Sequence, residues 1–513
     1  MAVIVQTAAL GLGAAALLLL SYAIGTAIYN VYFHPLHKFP GPKFAAASKI
    51  PYAINRCRGL QAKWTKAMHD KYGDVVRLAP DQLSFTSVEA WRDIYGHKVG
   101  GRGGMSKDLT FYGPDSAGFN GIIRTNDEDH ARHRRLLAHA FSDKALREQE
   151  PLINKYVSLL VEKLSDAASA ADGIDMVRMY NYCTFDIMGD LAFGEPLGLL
   201  EQSDYTPWVA SIFGAIKTGV MIATISNNFP TLGAAIQRFF ITPAMIEKRK
   251  MHRAFAEGRV DTRLANRDTD RPDIWTFVLR HSGKDDADKG LRLEEMHANG
   301  STLMLAGTET TATLLSGLTF HLLQNPSKLA ALAREVRAAF ADPADMNMMT
   351  LARLHYLSAC LEEGLRMYPP VPVGLPRIVP AGGRVVCGEP VPAGTSVYLS
   401  HYAAYRSARN FCDPESFVPE RWLGSDEEGK PDPRREEKYE GDVRAVMEPF
   451  SYGPRNCIGK NLAYHEMRLI LANVLWHFDL ELCPESNDWV NQGVYTIWEK
   501  GPLKCKLKPV ARS

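Results

Sequence analysis

Three things are scarce in this sequence, and each scarcity narrows what the protein can be. The net charge is small, because 59 Lys and Arg residues balance 58 Asp and Glu residues in a chain of 513. The chain has no charge excess for nucleic acid, so we expect no nucleic-acid partner. Cysteine is scarce too, with eight residues at irregular spacing. This excludes a secreted disulfide framework and predicts reduced thiols in a body that faces the cytosol.

Charged residues are absent from Met1 to His37. Within this stretch, "AALGLGAAALLLLSYAIGTAIY" exceeds the roughly 20 apolar residues that a membrane-spanning helix needs. A cleaved signal peptide is the alternative, but it would have a basic start and a shorter apolar run of about 7–15 residues. We therefore predict a retained membrane anchor over residues 1–30, with the span over roughly residues 8–29.

The residues that follow predict how the anchor is oriented. Seven basic residues precede the first acidic residue, Asp70, and basic residues that flank a single span stay on the cytoplasmic side. Residues 31–45 include "FHPLHKFPGPK", whose prolines end the helix and predict a proline-rich spacer.

The rest of the chain, residues 46–513, is predicted to be one domain. Segments such as "EPLINKYVSLLVEKL" and "LSACLEEGLRMY" have helical periodicity, whereas short strand-like pieces such as "LKCKLKPV" come late in the chain. The predicted fold class is mainly α with small β-sheets.

The loop "FSYGPRNCIG" holds a cysteine without a nearby partner. Cys412 and Cys483 are the nearest cysteines and His465 is the nearest histidine, so a structural zinc site, which needs several close Cys or His ligands, is disfavoured. A helical pattern begins directly after Cys457. A helix start stabilises negative charge, which predicts a thiolate with a lowered pKa.

A lone thiolate at a helix start has three candidate roles: nucleophile, redox thiol or metal ligand. A nucleophile needs a positioned base and a redox pair needs Cys-x-x-Cys, and neither is visible near Cys457. An axial ligand of haem iron needs no second protein donor, because the porphyrin supplies four nitrogens.

A second motif, "LMLAGTETTATLL", interrupts an apolar helix with small and polar residues. Helical spacing predicts that Asn299, Leu303, Ala306, Thr310 and Thr313 share one face of this helix. Small Ala306 and Gly307 would let a flat ring approach, and Thr310 would hydrogen-bond back to the helix backbone. Glu309 and Thr310 form an acid–hydroxyl pair suited to proton delivery. An amphipathic helix with a solvated polar face is the alternative.

A third motif is expected to be structural. In "LEEGLRMYPP", Glu363 and Arg366 are neighbours on one helix face. Arg421, in "FVPERW", is a candidate second partner of Glu363. Buried charges persist when they are fully paired, so this cluster is predicted to stabilise the fold.

Together these residues resemble one enzyme family. "FSYGPRNCIG" matches the Phe-x-x-Gly-x-Arg-x-Cys-x-Gly signature of cytochrome P-450 haem-thiolate monooxygenases, and "AGTETT", "EGLR" and "PERW" match other motifs of that family in the same order. "YFHPLHKFPGPK" and "YTIWEKGPLKCKLKPV" are similar to membrane-bound fungal P-450s of secondary metabolism, such as trichothecene hydroxylases. The resemblance implies the cytochrome P-450 fold behind one N-terminal transmembrane helix.

The resemblance also implies roles for individual residues. Cys457 would be the axial ligand of the iron in haem b, with Phe450 beside the sulfur. The implied contacts of the haem propionates and ring are Arg455, Arg377, Arg134, His130 and Ala306. His130 stands where the family has tryptophan. Thr310 and Glu309 match the oxygen-activating pair, with Glu in place of the more frequent Asp.

The implied activity is insertion of one oxygen atom from dioxygen into a lipophilic terpenoid or polyketide, by hydroxylation or epoxidation. The short stretch after Cys457 predicts no fused flavin domain, so NADPH and flavin would act through a separate NADPH–cytochrome P-450 reductase, with cytochrome b5 as a further candidate partner. Apolar segments, including residues 100–125 and "SIFGAIKTGVMIATISNNFPTLG", are predicted to contact the substrate. The expected location is the endoplasmic reticulum membrane, single-pass, with the catalytic domain in the cytoplasm. A haem-thiolate isomerase or dehydratase and a non-catalytic haem protein are the alternatives.

Overall fold

The computed structural model describes most of the chain. The described ranges are residues 2–97, 104–112, 121–170, 172–231, 233–235, 242–266, 271–281, 290–424 and 432–511.

Helices dominate these residues, as predicted. The helices of eight residues or more are Ala2–Tyr32, Ile50–Cys57, Gln61–Tyr72, Asp127–Leu137, Asp143–Ala167, Met176–Phe193, Pro207–Asn228, Pro243–Ala265, Ile274–His281, Leu293–Leu323, Pro326–Ala339, His355–Met367 and Lys460–His477. Shorter helices are Lys43–Ala47, Leu109–Tyr112, Leu199–Gln202, Met348–Leu351 and His401–Tyr405.

The strands are short and form small sheets. They are β1 (Val75–Ala79), β2 (Gln82–Phe85), β3 (Ser106–Lys107), β4 (Ile174–Asp175), β5 (Arg377–Ile378), β6 (Arg384–Val386), β7 (Glu389–Val391), β8 (Ser396–Leu399), β9 (Phe478–Leu482), β10 (Val494–Tyr495), β11 (Ile497–Trp498) and β12 (Lys504–Pro509). The largest sheet has the order β1-β2-β8-β5-β3, in which β2 and β8 are parallel and the other pairs antiparallel. A second sheet has the order β4-β12-β9, and β6-β7 and β10-β11 form two-stranded pairs. The prediction of a mainly α fold with small sheets is confirmed.

The helix Leu293–Leu323, called the central helix below, runs through the core of the protein. Its C-terminal half is buried on nearly every side, which is typical of an interior helix. It packs closely against the helix Met176–Phe193. Gly307 makes this contact possible, since a Cβ there would lie 2.7 Å from the sulfur of Met188.

The N-terminal helix is the one described helix that is long and apolar enough to cross a membrane, over Ile4–Tyr32. Its side chains are largely exposed, and it fits a membrane anchor. It continues to Tyr32, beyond the predicted end of the span. The following segment contributes to a core, because Leu36 and Phe39 are buried with side chains of the largest sheet.

Candidate functional site

The ligand loop, Phe450–Gly459, has a constrained backbone that presents Cys457. Gly453 has φ +75°, and a Cβ at this position would lie 2.0 Å from the carbonyl oxygen of Tyr95, so only glycine fits. The amide N–H of Cys457 donates to the carbonyl oxygen of Phe450 at 2.8 Å. Gly459 then caps the helix Lys460–His477, which confirms the predicted helix after the cysteine.

Aromatic and basic side chains surround this loop. The ring of Phe450 lies 5.1 Å from the ring of Tyr464, and Nζ of Lys460 lies 5.8 Å from the centre of the Phe450 ring. The Tyr464 hydroxyl donates to Glu362 at 2.6 Å. Sequence reasoning missed Tyr464, which lies in the first turns of the helix that follows the loop.

Cys457 faces an internal space. Its side chain has exposed surface, yet burial is the largest influence on its pKa and raises it above the ordinary thiol value. The Gly459 N–H, Arg134 and Lys460 all lower this pKa, but less than burial raises it. The prediction of a lowered pKa is therefore wrong for the protein alone, because the helix start does not outweigh desolvation. A thiolate here needs a further positive partner, which a metal ion would supply.

The middle of the central helix also faces an open space. Leu305 and Ala306 are exposed, whereas Met304 and Thr308 on the same turns are buried. Thr310 is partly exposed, and its hydroxyl donates to the carbonyl oxygen of Ala306 at 2.7 Å, as the sequence predicted. The helix remains continuous at this bond. Because Gly307 contacts Met188, Ala306 alone provides the small surface on the open side.

Basic residues converge near the ligand loop and outnumber the acidic side chain, Asp127, that pairs with them. Lys107 on β3 lies directly opposite Arg377 on β5, and like charges in opposite positions are destabilising. Burial, followed by the charges of Arg377, Arg455 and Arg124, lowers the pKa of Lys107 to about 6. We call Lys107, Arg377 and Arg455 the cation cluster. Lys107 was not predicted from the sequence, since its pairing with Arg377 arises only when the sheet forms.

His130 and Arg134 complete the surroundings of this cluster. Burial, together with Arg455, Arg134 and Lys107, lowers the pKa of His130 to about 3, so its imidazole is neutral. Arg134 donates to both the carbonyl oxygen and the side-chain oxygen of Asn456, each at 2.5 Å, directly before Cys457. The site therefore combines the cysteine loop with the predicted His130 and Arg134.

Two nitrogens of the cation cluster have no hydrogen-bond partner among the residues that the structure describes. Arg455 pairs with Asp127 at 2.8 Å, but its Nη1 is buried without a hydrogen bond, and so is Nε of Arg377. Buried unpaired donors are costly, so an anion fits here. Haem carries two carboxylates, which the unpaired nitrogens of Arg377 and Arg455 could bind. Its iron requires a single protein donor, which the sulfur of Cys457 could supply. In the described part of the chain, no group of three or more His, Cys, Asp and Glu is placed to hold a metal ion.

Glu309 does not contact the hydroxyl of Thr310. Its carboxylate oxygen Oε1 accepts from Nζ of Lys500 at 2.5 Å, and Lys500 also donates to the hydroxyl of Thr313 at 2.5 Å. Both charged side chains are buried, with 4% and 3% of their surface exposed. Sequence reasoning missed Lys500, which lies in the segment "YTIWEKGPL" close to the C-terminus.

The structure brings Glu363, Arg366 and Arg421 together in a fully buried cluster. Arg366 donates to both oxygens of Glu363, at 2.8 and 2.7 Å, and Arg421 donates at 3.3 Å. Burial raises the pKa of Glu363, but Arg366 and Arg421 lower it by more than burial raises it. The pKa therefore lies below its ordinary value. Arg421 also pairs with Asp442, which sequence reasoning did not include.

Comparisons with known proteins agree with this arrangement. The family model described as "Cytochrome P450" matches residues 52–501. The chain is 48% identical to the cytochrome P450 monooxygenase efuB of Hormonema carpetanum, over 96% of this chain and 95% of that protein. It is 45% identical to the cytochrome P450 monooxygenase FUM2 of Gibberella moniliformis, over 94% of this chain and 99% of that protein. It is 42% identical to the averantin hydroxylase of Dothistroma septosporum, over 99% of this chain and 92% of that protein. With these matches, and a site suited to haem, the chain belongs to the cytochrome P450 family of haem-dependent monooxygenases.

Proposed function

We propose that this protein inserts one oxygen atom from dioxygen into a lipophilic secondary metabolite, by hydroxylation or epoxidation, with Cys457 as the single protein ligand of haem iron. The observation that carries the proposal is the cation cluster beside the cysteine loop, where buried nitrogens of Arg377 and Arg455 lack partners. When bound, haem supplies the redox metal that activates dioxygen.

Residues of this chain hold and orient that group. Cys457 would bind the iron through sulfur, with the Phe450 ring beside it. Arg455, Arg377 and Arg134 would bind the propionates together with Lys107, which we add to the predicted set. A neutral His130 would donate one hydrogen bond, and Ala306 would leave room for the ring at the central helix.

The open face of the central helix would supply protons. The Thr310 hydroxyl is partly exposed there and would hold a proton close to the reacting centre. Glu309, one residue earlier, would pass protons toward Thr310 as the acid of the predicted pair.

The substrate is proposed to be a terpenoid or polyketide. The exposed Leu305 and Ala306 present an apolar surface, and one relative is an averantin hydroxylase. Residues 100–103, 113–120 and 232 of the predicted substrate segments lie outside the described residues.

Electrons are proposed to come from a separate NADPH-dependent reductase, or from cytochrome b5, binding on the Cys457 side. Lys460 and Arg135 are exposed near the loop and suit an acidic partner. We further propose that residues 1–30 anchor the protein in the endoplasmic reticulum membrane and that residues 46–513 form the catalytic domain in the cytoplasm. The basic residues after the anchor support this orientation.

The test is expression in membranes with added reductase and candidate precursors. We expect substrate-dependent NADPH consumption and a product that carries one ¹⁸O atom when labelled dioxygen is supplied. Product formation without NADPH would favour the isomerase or dehydratase. A haem spectrum with no NADPH consumption for any precursor would favour the non-catalytic haem protein.

A further inference from the structure

We propose that Lys500 is a positioning residue for proton delivery: its ammonium group holds one carboxylate oxygen of Glu309 in an ion pair and leaves the other oxygen free. This inference rests on the proposed function, and it adds a residue from the C-terminal segment to the acid–hydroxyl pair. A proton from solvent water would bind the free oxygen of Glu309 and pass to the Thr310 hydroxyl, whose own proton would move to the reacting centre, so that carboxylate and hydroxyl both return to their starting states.

The contacts divide the two oxygens of Glu309 unequally. Oε1 accepts from Lys500 at 2.5 Å and lies 3.4 Å from the hydroxyl of Thr313. Oε2 is buried and has no hydrogen-bond partner among the described residues. The hydroxyl of Thr310 donates to the helix carbonyl of Ala306. Only Oε2 is therefore available to take up and release a proton.

Lys500 is the cation that balances Glu309. Among the described residues, the phenols of Tyr205 and Tyr368 also interact with this carboxylate, and burial, together with Glu309, raises the pKa of each. Both phenols therefore stay protonated and uncharged. A buried carboxylate that loses its only cation takes up a proton, because isolated buried charge is very costly.

The C-terminal segment fixes the position of Lys500. Trp498, two residues earlier, donates to the carbonyl oxygen of Pro369 at 2.8 Å, and its ring stacks on Tyr368 with centroids 4.4 Å apart. Gly501, directly after Lys500, accepts from the indole of Trp489 at 2.8 Å. Packed aromatic residues thus hold the chain on both sides of Lys500, which gives the ion pair a defined geometry.

The test compares Lys500→Met, Lys500→Arg, Glu309→Gln and the Lys500→Met/Glu309→Gln double variant. In infrared spectra of the resting ferric protein, we expect Lys500→Met to gain a carboxylic-acid C=O band that wild type and Lys500→Arg lack. The double variant should lose this band, which assigns it to Glu309. In turnover, product formed per NADPH should fall at least about tenfold in Lys500→Met, since positioned proton transfer contributes roughly 100-fold or more. Lys500→Arg should restore it.

Each outcome is decisive. A Lys500→Met variant without the acid band, and with wild-type product per NADPH, would overturn the role of Lys500. If Lys500→Met does not fold, Glu309→Gln carries the test, because it must lose coupling while keeping its haem spectrum. Retained coupling in Glu309→Gln would also overturn the proposal. Failure of the proposed function is distinguishable, because then wild type itself would show no haem spectrum or no product.

Discussion

Lys107→Met is predicted to stabilise the haem-free protein against unfolding and to weaken the binding of haem in the haem-loaded protein. In the haem-free protein, Lys107 is a partly buried amine opposite Arg377, and its pKa is lowered to about 6, against about 10.4 for an unfolded lysine. Between these values the unfolded chain binds more protons than the folded chain. The stability of the haem-free protein should therefore rise with pH across this window.

The magnitude follows from this difference. One unit of pKa corresponds to about 1.4 kcal/mol, and Lys107 is partly exposed, so the full difference must be discounted for solvent screening. We expect haem-free Lys107→Met to be more stable than wild type at pH 7 by about 2 kcal/mol, with a flatter pH dependence. In the haem-loaded protein, a charge-assisted hydrogen bond worth roughly 1.5–3 kcal/mol is lost, so haem should dissociate roughly 10 to 100 times faster.

Two assays separate these effects. Urea unfolding of the haem-free protein between pH 6 and 9 measures the stability, and transfer of haem to apomyoglobin measures dissociation. Lys38→Met is the matched control, because Lys38 is an exposed lysine that pairs with Glu389, and both readouts should be unchanged. A Lys107→Met protein that is less stable without haem and releases haem at the wild-type rate would refute the role of the cation cluster.

Three further predictions follow from the buried contacts. Glu363→Gln should lower the free energy of unfolding by about 3–5 kcal/mol in denaturant titrations, because it removes the carboxylate that pairs with the buried Arg366. Lys66→Ala, which breaks more exposed ion pairs with Asp70 and Glu415, should cost about 1 kcal/mol or less; equal losses would contradict this. Gly307→Ala should cost about 1–3 kcal/mol, because its Cβ would overlap Met188, and an unchanged melting temperature would show that the helices adjust freely. Thr310→Ala should keep the haem spectrum but divert reducing equivalents to hydrogen peroxide in a coupled NADPH assay, and wild-type coupling would argue against its proton role.

Local patterns predicted much of this molecule. The helical periodicity around Glu363 and the glycine-bounded loop around Cys457 are short-range features, and both appear as expected. The predicted span began at residue 8, whereas the helix begins at Ala2, because apolar residues continue the helix where no capping residue stops it.

Contacts between residues far apart in the chain could not be predicted from the sequence. Lys107 meets Arg377 only through the strand order of the largest sheet, and Lys500 reaches Glu309 only after the C-terminal segment folds over the central helix. The pKa of Cys457 was predicted in the wrong direction, since a helix start is visible in sequence whereas the depth of burial is a property of the whole fold.

The most direct test of the central claim is the absorbance spectrum of the reduced, carbon-monoxide-treated protein. We expect Cys457→Ala to lose the shifted Soret band that reports a thiolate opposite carbon monoxide, whereas Cys57→Ala, which alters a thiol far from the ligand loop in sequence, should keep it. A Cys457→Ala protein that retains the shifted band would contradict the assignment of Cys457 as the ligand.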